Sequence, residues 1–167
     1  MNKIDLNQLN NEELWLAYGE IQQELKKREL VRTNNMVGER GEFLVVETYN
    51  SINGLPKLHA APEGTQNVDA LSRKGERYSI KTISEPGATT GVFYGCGEND
   101  NTTPDKKFEY VVIVQIYKNY KPKKILELSW GQFLKFRKWH STMRAWNLSV
   151  TKSLVSEAKT ILDNENS

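Results

Sequence analysis

The sequence predicts a single α/β domain, and three patterns carry that expectation. Apolar residues recur at helical spacing near the N-terminus and again around residues 38–49. Two strand-like runs, Asn67–Ser72 and Glu76–Thr82, flank a short basic turn ending in Gly75. An apolar run from Tyr110 to Tyr117, bounded by polar residues, reads as a buried strand. A chain of 167 residues can bury one substantial core and is short for two full domains.

Taken in order, Asn7 to Glu29 places Leu9, Leu14, Leu16, Ala17, Ile21 and Leu25 at the spacing of an amphipathic helix. Such a helix can pack on the core or contribute to a dimer. Val31 to Asn35 reads as a connector in which Thr33 and the asparagines suit capping and turn duties. Arg32 and Thr33 are also candidates for touching a phosphate. Phe43, Val46 and Tyr49, with Leu44 and Val45, predict a half-buried helix that starts near Gly38. Pro56 to Ala61 is a first strand, and the hairpin follows. Glu85 to Lys107 is rich in Gly, Thr, Asn and Pro, and its length points to function. Within it Thr89 and Thr90 are candidate DNA-groove contacts, although a mobile surface loop is the simpler use. After the strand at Tyr110–Tyr117 come a strand at Lys124–Leu128, a helix at Trp130–His140 and a terminal helix at Thr151–Leu162. Residues 130–163 are thus expected to be a helical C-terminal part, behind a core at about 37–128.

The hairpin carries the chemistry. A three-residue loop normally ends with a glycine in the left-handed region, so Arg73-Lys74-Gly75 makes Ser72 face Glu76 and Asp69 face Ser79. Opposed residues share a sheet face and side chains alternate along a strand. Asp69, Ser79 and Lys81 therefore lie on one face, with Tyr78 and Ile80 on the other. A two-residue Lys74-Gly75 loop would set Asp69 opposite Ile80 and dissolve the group. An acid and a lysine on one face suit metal-assisted phosphodiester cleavage: the carboxylate holds a hard cation, and the ammonium stabilises charge on the phosphate or positions water.

Asp69, a hairpin-length spacer and then Ser79-Ile80-Lys81 resemble the PD-(D/E)XK nuclease superfamily, which includes many restriction endonucleases. Asn67-Val68-Asp69 stands for the first element and Ser79-Ile80-Lys81 for the second. The resemblance covers roughly Val37 to Glu127 in element order. It implies a restriction-endonuclease-like core, a mixed central sheet flanked by helices, with Asp69 as metal ligand and Lys81 as catalytic residue. Ser79 replaces the second acid of the pattern. A Gly-x-x-x-Glu start on the first core helix recurs in this superfamily, and Gly38 to Glu42 matches it. Glu42 is therefore the candidate replacement ligand, with Glu39 one turn earlier. Glu47 lies about 140° further round the helix and cannot easily share that site. Alternatively, acids near a helix start serve only to offset its dipole.

Composition bounds the function classes. Lone Cys96 forms no disulfide framework and no cysteine zinc cage, and two histidines are too few to replace one; a reducing, cytoplasmic setting is expected. The sequence has no apolar run of membrane-spanning length, and the start at Met1–Asp5 lacks a signal-peptide core. Net charge is only +2, but residues 121–146 carry seven basic groups against Glu127 alone. Lys135, Arg137, Lys138 and Arg144 alternate there with aromatics, a composition suited to phosphate backbones and base stacking, or equally to an ordinary helix with a basic face. The expected activity is that of a DNA endonuclease using Mg2+ or Mn2+ on double-stranded DNA, a restriction enzyme acting alone or beside a separate methyltransferase. A silent nucleic-acid-binding module with the same fold, favoured by Ser79, and a structure-selective repair nuclease are the alternatives. Cutting both strands calls for two sites, so a homodimer is expected, through the 7–29 helix and the aromatic stretch Trp139–Trp146.

Overall fold

Asn10 opens the first long helix: its side chain accepts from Glu13 N while the Glu13 carboxylate accepts from Asn10 N, a capping box. The computed structural model describes residues 4–100 and 102–165, apart from the side chain of Trp15. Helix α1 (Asn11–Lys27) is shorter than the pattern from Asn7 suggests, because a separate 3-10 turn at Leu6–Gln8 precedes the cap. Helix α2 (Met36–Ser51) starts at Asn35, whose side chain accepts from Gly38 N.

Strands β1 (Leu58–Ala60), β2 (Ala70–Ser72), β3 (Arg77–Ser84), β4 (Tyr110–Ile116), β5 (Pro122–Ser129) and β8 (Lys159–Asp163) build one mixed sheet in the order β1-β2-β3-β4-β5-β8. All neighbours are antiparallel except β3 and β4, which run parallel. Period-two alternation sorts the side chains into two cores. Tyr78, Ile80, Val112, Val114 and Ile125 pack under α2 with Leu44, Val45 and Tyr49. Ile83, Val111, Ile113, Leu126 and Leu128 face the opposite layer. That layer is helix α3 (Trp130–Phe136), a hairpin of β6 (Lys138–His140) and β7 (Ala145–Asn147), helix α4 (Lys152–Glu157), and the segment between β3 and β4. Glycine at position 41 lets α2 lie close over β3, where any Cβ would collide with Thr82 Oγ1.

Two expected helices are corrected. The one from Trp130 ends at Phe136, where Arg137 turns extended at ψ 142°, and Trp139 then pairs across a hairpin with Trp146 at 5.1 Å between ring centroids. The one from Thr151 ends at Glu157, and Lys159–Asp163 becomes an edge strand on β5. The exposed edge of β5 offers unpaired backbone groups, and Thr160-Ile161-Leu162 has the β-branched, apolar character that fits there. The C-terminal part is therefore mixed helix and strand. The segment from Glu85 is also no free loop: Thr89 bridges to Ser149, Phe93 bridges to Trp146, and Phe93, Cys96 and Phe108 are fully buried. None of the helices among the described residues is long and apolar enough to cross a membrane.

Candidate active site

The hairpin takes the three-residue register. Gly75 sits at φ +82°, Ser72 N donates to Glu76 O at 2.9 Å, and Asp69 N donates to Tyr78 O at 2.8 Å. Side chains then divide as the alternation requires, with Tyr78 and Ile80 under α2 and Lys81 on the opposite face, its Nζ 4.9 Å from the centre of the Phe93 ring.

Asp69 lies just before β2, and its N–H, which donates to Tyr78 O, makes the last rung of the pairing with β3. The Ile80 N–H, which points along the plane of the sheet, finds no strand carbonyl there and donates to Asp69 Oδ2 at 2.6 Å. Ser79 Oγ donates to the same oxygen at 3.5 Å. The carboxylate is thereby held in the gap between two strands, open to groups on either face. From one face comes Glu42, on the first half of α2; from the other comes the positive charge of Lys81. Burial pushes the Asp69 carboxyl up, opposed by the Ile80 N–H, Lys81, Ser79 and Arg32.

Glu42 and Asp69 share a cleft of about 320 Å3 beside α2, whose walls include Arg32, Glu39 and Glu63. Burial, then the Asp69 charge, then Glu39 push the Glu42 carboxyl up to about 6, with Arg32 opposing. Arg32 Nη2 reaches Glu42 Oε2 at 2.9 Å, and its Nε lies 3.8 Å from Glu39 and 4.0 Å from Glu63. This arginine is engaged by carboxylates, a partnership the sequence offered no spacing to reveal. Thr33 serves the turn: its N–H donates to Glu39 Oε1 at 2.8 Å and its hydroxyl accepts from Asn35 N at 3.1 Å.

The remaining candidates are scattered. Thr90 is 5 % exposed, and its hydroxyl accepts from Leu148 N and donates to Gly91 O, which places it in the core rather than at a DNA-facing surface. Thr89 is exposed, with its hydroxyl 3.3 Å from Ser149 Oγ. Lys135 Nζ is paired with Glu157 at 2.6 Å. Arg137 donates to Cys96 O at 2.7 Å and lies 4.1 Å over the Trp146 ring. Lys123 and Lys124 are paired with Glu85, Asp163 and Glu165. Of the four basic residues singled out after position 130, only Lys135 makes an ion pair among the described residues; Lys138 and Arg144 are exposed, Arg144 at φ +48° in the β6–β7 turn. The basic tract is therefore not one helical face.

The site suits a hard cation by its chemistry, although no three Asp, Glu, His or Cys side chains among the described residues converge as a ready cage. Its donors are carboxylate oxygens only. Asp69 Oδ1 and Glu42 Oε1 carry no hydrogen bond among the described residues. Burial is the main cause of the upward push on both carboxyls; the Asp69 and Glu39 charges add to it at Glu42, while Arg32 opposes it at both and Lys81 opposes it at Asp69. Two carboxylates suffice for Mg2+, which keeps several of its waters. The sequence matches no protein-family model and no curated protein.

Proposed function

We propose that this chain is a metal-dependent endodeoxyribonuclease with a restriction-endonuclease-like core, acting on double-stranded DNA. The observation that carries the reading is the position of Asp69, pinned by Ile80 N–H in the plane of the sheet between Glu42 and Lys81. The element order supports it: a helix bearing the acid, an antiparallel trio of strands bearing Asp69 and Lys81, then a parallel strand.

Asp69 and Glu42 would hold Mg2+ or Mn2+, which when bound supplies charge to polarise a phosphate and acidify a water. Ile80 N–H fixes the orientation of Asp69, leaving the other oxygen for the cation. Lys81 stands on the opposite side with its ammonium over Phe93, a support that restricts the side chain without removing its charge. From there it stabilises charge developing on a phosphate oxygen or orients the attacking water. Arg32 holds Glu42 and offsets part of the carboxylate charge until a cation arrives.

Incubation of the purified protein with plasmid and Mg2+, beside an EDTA control, tests the reading. Discrete fragments indicate sequence-specific cleavage, and fragments only from branched substrates indicate a repair or junction nuclease. DNA binding with no cleavage in Mg2+ or Mn2+ overturns the enzymatic reading. It would favour a silent binding module, the alternative to which Ser79 points because it is fully buried and brings no carboxylate.

A further inference from the structure

Helix α1 carries Leu14, Tyr18, Ile21 and Leu25 at spacings of four, three and four, which gathers them into one narrow stripe. Along the stripe Leu14, Tyr18 and Ile21 are 39 %, 50 % and 49 % exposed. It borders an apolar groove of about 460 Å3 whose other wall includes Leu30, Val31, Met36, Phe43 and Tyr120. A helix of 17 residues gains little net stability from its own hydrogen bonds in water and depends on burying such a stripe.

The pattern of α1 is symmetrical about the point between Gly19 and Glu20. Reversing the helix end for end puts Leu25 where Leu14 stood and Ile21 where Tyr18 stood. The same operation exchanges charge sign, because Glu12 and Glu13 fall on the places of Lys27 and Lys26. We propose that α1 is a homodimer interface, packed antiparallel against α1 of a second copy across a two-fold axis at Gly19–Glu20. Leu14 then meets Leu25 of the second copy, and Tyr18 meets Ile21. Parallel pairing would set acidic first turns together and basic last turns together. Antiparallel pairing places each acidic end beside a basic one and opposes the helix dipoles. The isologous arrangement uses one self-complementary patch, as a two-fold dimer requires. This pairing stands independently of the chemistry at Asp69.

Sedimentation of the full chain should give about twice 19.2 kDa, and Ile21→Glu should weaken association on the order of a hundredfold by burying a charge in each half of the interface. Because Ile21→Glu also risks fraying α1, cross-linking supplies the second measurement. Leu14→Cys mixed with Leu25→Cys should be joined by a short bismaleimide, whereas Leu14→Cys alone should not, since its two copies would lie about 16 Å apart along the pair. Native Cys96 is fully buried and does not compete. A wild-type species of 19.2 kDa at high protein concentration overturns the proposal and leaves the stripe to another partner. Efficient cross-linking of Leu14→Cys with itself overturns the antiparallel register.

Discussion

Glu42→Gln separates the stability of the fold from its chemistry. The Glu42 carboxyl is raised from 4.5 to about 6 by burial first, then by Asp69 and Glu39. An acid with a raised folded-state pKa binds its proton more tightly in the folded chain, so stability falls as pH climbs from 4.5 to about 6. The penalty is complete above that window and absent below it. At about 1.4 kcal/mol for each tenfold change in proton affinity, its upper bound is about 2 kcal/mol. The Glu42 side chain keeps 27 % of its exposure and glutamine forfeits the ionic part of the Arg32 contact, so a gain of about 1 kcal/mol is expected at neutral pH. Below pH 4.5 the two proteins should converge. Urea titrations in EDTA, followed by tryptophan fluorescence at about pH 7.5 and about pH 4, read the difference as a shift in midpoint. Added Mg2+ should stabilise the wild type by mass action and the glutamine variant much less. A variant less stable than wild type at neutral pH, or a gap identical at both pH values, refutes the picture of an under-compensated carboxylate pair.

Other outcomes follow from the same geometry. Asp69→Asn should abolish plasmid cleavage while gel-shift binding of DNA survives or tightens, and Lys81→Ala should lose cleavage with an unchanged circular dichroism spectrum; near wild-type rates in either would displace the site. Ser79→Glu in the Glu42→Gln background should restore part of the activity at higher Mg2+, read as the metal concentration for half-maximal cleavage. Gly41→Ala should cost about 1–3 kcal/mol through overpacking against Thr82, measured by denaturant titration. Thr82→Val should be neutral or stabilising by about 1 kcal/mol, because Thr82 Oγ1 is buried with no hydrogen-bond partner among the described residues. Arg77 holds the Glu109 carboxyl down to about 2, a contribution present above 4.5 and lost as pH falls through about 2. Arg77→Gln should therefore bring forward the acid limb of the stability profile.

The hairpin register was legible because one residue decides it: Gly75 supplies the positive φ that a three-residue loop needs, and the partners of Ser72 and Asp69 follow by counting. The α2 helix was equally plain from its apolar spacing. The C-terminal third was not. Leu154, Val155, Ile161 and Leu162 fit a helical period, yet the choice between helix and strand after Ala158 depends on whether β5 has an open edge, which is a property of the assembled sheet. Likewise Trp139 and Trp146 fit a basic amphipathic helix until their pairing across a turn is seen. At the candidate site, Asp69, Ser79 and Lys81 were singled out by counting along the hairpin, and Glu42 by the resemblance to a family motif. Arg32 as the counter-charge of Glu42, and Phe93 as the support under Lys81, were not, because each reaches its partner across an irregular turn or link whose path no periodicity fixes.

The irregular link from β3 to β4 ties the chain's middle to its far end. Parallel neighbours are usually joined through a helix that can form by itself. Here the returning segment is anchored instead through contacts such as Thr90 with Leu148, 58 residues apart. On a ribosome adding roughly 5–20 residues per second, several seconds separate the exit of Thr90 from that of Leu148. Throughout that interval Phe93 and Phe108 have no completed layer to enter, and the aromatic floor beneath Lys81 is unset. Emergence of Leu148 thus acts as a timer: the face that carries Lys81 matures only after the segment around Leu148 has been made.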